Sequence, residues 1–161
     1  MISGLKSTTE RTKTHAKEKA KGMVKNYGWP RELFGNLESG ASIDPYHRPD
    51  YAGILTLFQQ NGTHNYYRIR NTMIKGYSNR ESLRLLTEPP KRYNFMMSPA
   101  LVNAWYIPER NSITFPYASF NPPFYNLKHP QAYNFAGQHT IAGHEIVHGF
   151  DDEGRRTLAF K

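Results

Sequence analysis

The stretch Gln138-His139-Thr140-Ile141-Ala142-Gly143-His144-Glu145-Ile146-Val147-His148-Gly149-Phe150 decides how this chain reads. It holds no proline, and Ile141, Ala142, Ile146 and Val147 recur at helical spacing, so it predicts a helix over 138–150, interrupted by Gly143 and ended near Gly149. On such a helix His144 and His148 lie four apart on one face, where both imidazoles reach a single zinc ion at about 2.0–2.1 Å. Glu145 sits one position round, adjacent to the metal without occupying it, placed to take the proton of an activated water and pass it to a leaving amine. The HExxH pattern thus points to hydrolysis of a peptide bond, against the plainer reading of two solvated histidines on a helix. A third histidine ligand in the next turn is excluded. That extension needs glycine at 151 and histidine at 154, and the chain has Asp151 and Gly154. His139, five residues before His144, points away from the two-histidine face.

Working outward, 8 of the 11 prolines fall between Pro89 and Pro130, together with many Phe and Tyr. This half reads as extended and aromatic-rich. Leu101–Ile107 and Ser112–Phe115 are β-prone runs around Pro108-Glu109-Arg110-Asn111, which reads as a hairpin. Before Pro89 the texture is helical. Ser7 and Glu10 form a capping-box pattern, and Ala16, Ala20, Met23, Val24 and Tyr27 predict an amphipathic helix from about 8 to 27, stopped by Gly28 and Pro30. From Glu32 to Pro49 the apolar period disappears, which predicts an irregular connection. Asp50 then caps a helix carrying Tyr51, Ile54, Leu55 and Phe58, and another follows with Tyr66, Ile69, Met73, Ile74 and Tyr77, extended by Ser82–Leu86. Between these helices, Asn61-Gly62-Thr63 reads either as a turn or as an N-glycosylation acceptor.

The 161 residues carry no cysteine and a net charge of +8. Disulfide frameworks, thiolate zinc sites and cysteine nucleophiles are excluded. Seven Lys and Arg against two Glu place +5 of that charge in residues 1–30, with Lys13, Lys17, Lys21 and Lys25 lining one helix face. A solvated face explains this better than a nucleic-acid surface, since no aromatic residues interleave the lysines, and no nucleic-acid partner is expected. No stretch approaches the roughly 20 apolar residues of a membrane span, and no signal-peptide pattern follows Met1.

The run Gly143–Arg155, with Val102–Pro108, Asn111–Pro116 and Pro122–Asn126, resembles the neprilysin family of zinc metalloendopeptidases, which includes the endothelin-converting enzymes. The basic segment ending in Tyr27-Gly28-Trp29-Pro30 is similar to that family as well. The resemblance implies an α+β fold: residues 1–90 as a helical segment of the ectodomain, and 91–161 as the start of a thermolysin-like (gluzincin) catalytic domain ending just after the zinc helix. It implies one Zn2+ on His144 and His148, Glu145 as general base, and a peptide substrate cut on the amino side of a hydrophobic residue. Asn103 and Ala104 would hold the substrate backbone by strand addition, the alternative for Asn103 being a hydrogen bond inside the hairpin. Ile141 would line the pocket for the side chain after the scissile bond, its alternative being a core position. Asp151 and Asp152 would tie down the helix end or orient the ligands, with Arg155 as an ion-pair partner or a solvated charge. In that family the third ligand is a Glu of a Glu-Asn-x-x-Asp type motif, which this sequence lacks, so a truncated enzyme or a non-catalytic peptide-binding relative are both expected readings. The family also implies an extracellular or plasma-membrane ectodomain whose membrane anchor would precede this segment.

Overall fold

A computed structural model describes residues 8–36, 38–59 and 66–157. Ser7 and the Asn61-Gly62-Thr63 triplet lie outside them. The chain packs as two compact units, Arg31–Pro90 and, together, Met1–Pro30 with Lys91–Lys161. The architecture is α+β, rich in helix with one small sheet.

The Arg31–Pro90 unit is helical, with α2 at Arg31–Phe34, α3 at Gly40–Gln59 and α4 at Tyr66–Arg84; α1 (Glu10–Lys21) and β1 (Val24–Gly28) precede them in the chain and belong to the other unit. The irregular connection expected before residue 50 is corrected by α3, which runs through Pro45 and Pro49. Asp50 is therefore inside a helix rather than its cap. It is buried and accepts two bonds from Arg80 on α4, from Nε at 2.7 Å and from a terminal guanidinium nitrogen at 3.1 Å, with His47 Nδ1 at 3.1 Å. The α3–α4 crossing is close because position 76 is glycine: a Cβ there would lie 3.0 Å from the Asp50 carbonyl carbon.

In the other unit the expected helix over 8–27 is shorter. Thr9 caps α1, its hydroxyl accepting the Thr12 N–H at 3.2 Å, and the helix ends at Gly22, whose N–H bonds back to Glu18. Lys25 consequently lies on β1 and not on the lysine face. β1 pairs in parallel with β3 (Ser112–Pro116), from Val24 opposite Ser112 to Gly28 opposite Pro116, and β2 (Trp105–Ile107) pairs antiparallel with the other side of β3, giving the order β1-β3-β2. The hairpin is present, but its first strand begins only at Trp105, and Asn111 makes the turn in left-handed conformation at φ 42°.

β3 is buried along its whole length, as the central strand. Ile113 and Phe115 face a core with Met23 and Ala104, against which Tyr106, Ile141, Ala142 and Phe150 pack. Each fully buried side chain of this size contributes about 1.5–3 kcal/mol. Hydrogen bonds hold the buried side chains of Asn26 and Asn111, Asn26 Nδ2 donating to Arg92 O at 3.0 Å and Asn111 Nδ2 to Lys19 O at 3.0 Å, while the half-buried Arg92 donates from Nε to Arg110 O at 2.6 Å.

The last helix, α5, spans Gln131–His148, beginning after Pro130 and seven residues earlier than periodicity suggested. Gly143 does not interrupt it, and a Cβ there would meet nothing within 4 Å. Gly143→Ala is therefore expected to stabilise the chain by about 0.5–1 kcal/mol through helix propensity, read as a raised denaturant midpoint. Among the described residues no helix is long and apolar enough to cross a membrane.

Candidate metal centre

The C-terminal turn of α5 packs beside β2, an edge strand of the sheet. The two elements enclose a cleft of about 330 Å³ lined by Asn103, Ala104, Tyr106, His144, Glu145 and His148, among others. Because helical neighbours four apart stack on one face, the His144 and His148 rings meet edge to face with their Nε2 atoms 3.0 Å apart. Both rings are exposed to the cleft.

The other nitrogen of His148 is occupied. Its Nδ1 bonds Asp151 Oδ2 at 2.8 Å, while Asp151 Oδ1 accepts the Gly154 N–H at 2.8 Å and the Glu153 N–H at 3.1 Å. Those amides, with His148, hold the Asp151 carboxyl below its ordinary range, and the bond to Asp151 raises His148. A proton kept on Nδ1 by the carboxylate leaves Nε2 with its lone pair, the tautomer that binds metal.

Glu145 is 6% exposed on the sheet side of α5. Burial pushes its carboxyl up, opposed by the two histidines and by the Tyr106 backbone N–H that it accepts. A buried carboxylate with a raised pKa next to two imidazoles is suited to moving protons.

The donor set suits a zinc ion at two positions. Two nitrogens bound at about 2.05 Å with a tetrahedral angle lie about 3.4 Å apart, a few tenths of an ångström wider than the pair seen here. Among the described residues no group of three or more His, Cys, Asp or Glu side chains gathers as a metal cage.

Asn103, Ala104, His144, Glu145, His148 and Asp151 all border this one cleft. Asn103 Oδ1 accepts the N–H of its own neighbour Ala104 at 2.9 Å, just ahead of β2, and Ala104 is buried in the core. Ile141 packs against that core and Asp152 is exposed; neither lines the cleft. His139 bonds Phe135 O at 2.9 Å, away from it. The Arg155 side chain is exposed. Tyr106 and Glu153 line the cleft without having been singled out in the sequence. Tyr106 reaches Glu145 through its backbone N–H, a group that residue identity does not advertise.

Residues 103–158 match the profile of peptidase family M13. Over 145 residues, 90% of the chain, the sequence is 37% identical to neprilysin-11 of Caenorhabditis elegans, of which it covers 16%. Over 154 residues, 96% of the chain, it is 32% identical to human endothelin-converting enzyme 1, of which it covers 18%. The chain belongs to peptidase family M13. Its fold is shared with a zinc metalloprotease of Mycobacterium tuberculosis solved with an inhibitor, at a TM-score of 0.63 and 27% identity, over 98% of this chain and 21% of that one. The M13 chain thus spans less than a fifth of the length of these two curated relatives.

Proposed function

We propose that this chain carries the metal-binding helix and the substrate-facing strand of a zinc metalloendopeptidase with a thermolysin-like (gluzincin) catalytic domain, represented here by residues 91–161. The observation that carries this reading is the convergence of His144 Nε2 and His148 Nε2 at 3.0 Å beside a buried Glu145 in one open cleft.

In this reading His144 and His148 hold the zinc through Nε2. Asp151 keeps His148 in the required tautomer, and Asp152 belongs to the same helix end. Bound zinc supplies Lewis acidity, lowering the pKa of water towards about 7 and polarising a carbonyl. Glu145 accepts the proton of the attacking water and delivers it to the leaving amine nitrogen, and its raised pKa suits both tasks. The substrate is an extended peptide, its backbone held by Asn103 and Ala104 just ahead of β2, with a hydrophobic residue after the scissile bond. In this reading such a peptide is met outside the cell or at the plasma-membrane surface.

The test is zinc binding and cleavage by the purified chain. Titration against a chelating dye is expected to give one zinc per chain, and any cleavage of a quenched fluorescent peptide before a hydrophobic residue is expected to stop when a chelator removes the metal. Asp151→Asn is expected to weaken zinc binding roughly tenfold. A chain that leaves all the zinc with the dye, and leaves the peptide intact, overturns the proposal.

A further inference from the structure

Lys19 stands on the wrong side of its helix for an ordinary lysine. It shares the face of α1 that carries Ala16 and Ala20, just before the buried Met23, and it is 6% exposed. An ammonium buried without partners is costly, so its contacts carry information. Its Nζ donates to Gly154 O, to Thr157 O at 3.1 Å and to Thr157 Oγ1 at 3.0 Å, all within one short turn after α5. The cation also lies 5.8 Å from the Tyr106 ring centre and 5.9 Å from that of Phe150.

That turn is the one that aims Asp151. The peptide N–H of Gly154 and that of Glu153 bind Asp151 Oδ1, Oδ2 binds His148 Nδ1, and His148 Nε2 faces His144. We infer that Lys19 is a positioning residue for the candidate metal centre, fixing the 154–157 turn so that Asp151 is held against His148. A neutral donor would satisfy the same carbonyls. A cation adds attraction to the Asp151 carboxylate, the charge that acts on it. The relay from Lys19 to His148 stands on geometry alone; its consequence for metal binding rests on the function proposed above.

The experiment uses the 15N-labelled full chain without metal. Amide exchange at Glu153 and Gly154 and the ring-nitrogen signature of the His148 tautomer are compared in the wild type, in Lys19→Met, and in Asn94→Ala. The last removes a buried hydrogen bond to the Met96 N–H elsewhere in the same unit. Lys19→Met is expected to speed exchange at both amides roughly tenfold and to mix the His148 tautomers, while Asn94→Ala changes neither. Equal behaviour of the two variants overturns the inference. If Lys19→Met does not fold, Thr157→Val, which deletes one of the three acceptors, is expected to shift both signals in the same direction, and unchanged signals overturn the inference equally. Zinc titration of the same samples separates the two ideas. Lys19→Met is expected to weaken zinc roughly tenfold. A wild-type chain that takes up no zinc overturns the proposed function, while the exchange and tautomer signals still decide the role of Lys19.

Discussion

Gly154→Ala is expected to cost the chain about 3 kcal/mol of stability, lowering its melting midpoint by roughly 10 °C. A Cβ at this position would overlap the His148 carbonyl oxygen and come within 2.7 Å of the Gly149 carbonyl carbon and 2.9 Å of its oxygen. All of these are backbone atoms at the end of a helix, so no side chain can rotate away to make room. The 154–157 turn has to lift off α5, and Asp151 then loses the two N–H groups that hold its Oδ1. Zinc affinity is expected to fall with stability, because the carboxylate that fixes His148 is no longer aimed. A melting midpoint within about 1 °C of the wild type would show that the turn is free to move.

Glu145→Gln is expected to reduce peptide cleavage by roughly 10²–10⁴-fold while leaving zinc bound. The amide keeps the shape and can still accept the Tyr106 N–H, but it cannot take a proton from water. The same variant is expected to be more stable than the wild type at neutral pH in the metal-free state. The sign follows from burial. The folded-state pKa of Glu145 lies above the usual 4.5, so its contribution is most favourable below that value, where it is protonated in both states, and declines as pH rises through the folded pKa. At pH 7 the ionised carboxylate is a cost that glutamine removes. Melting curves from pH 4 to 8 check this: the advantage of the variant should grow with pH above about 4.5, and a variant less stable at pH 7 would show that the carboxylate is well accommodated in its ionised form.

The helix carrying His144, Glu145 and His148 was legible in sequence because its chemistry and its period coincide within one turn. The helices around Ile54 and Ile69 were legible from their apolar period alone. β1 was not. Val24 and Tyr27 also fit a helical period, and what makes the segment a strand is pairing with Ser112–Pro116, far along the chain. The first half of α3 was hidden by Pro45 and Pro49, whose local cost is outweighed by tertiary ties such as Asp50 to Arg80. The core was only half visible, since Asn111 and Thr114 are as buried as Ile113. Hydrophobic pattern cannot announce polar residues that earn burial by hydrogen bonding. Lys19 had a faint signal, a charge within an apolar stripe, visible once Ala16, Ala20 and Met23 are set beside it.

The parallel pairing of β1 with β3 also sets a timetable for the nascent chain. Val24 meets Ser112 only after 88 further positions have been made. At about 5–20 residues per second, β1 therefore waits roughly 4–18 s on the ribosome before its partner exists. During that wait its hydrogen-bonding edge is open to any other strand, the situation in which chains associate wrongly. The lysines of the helix immediately before it put like charge on neighbouring nascent chains at the stage when repulsion is most useful.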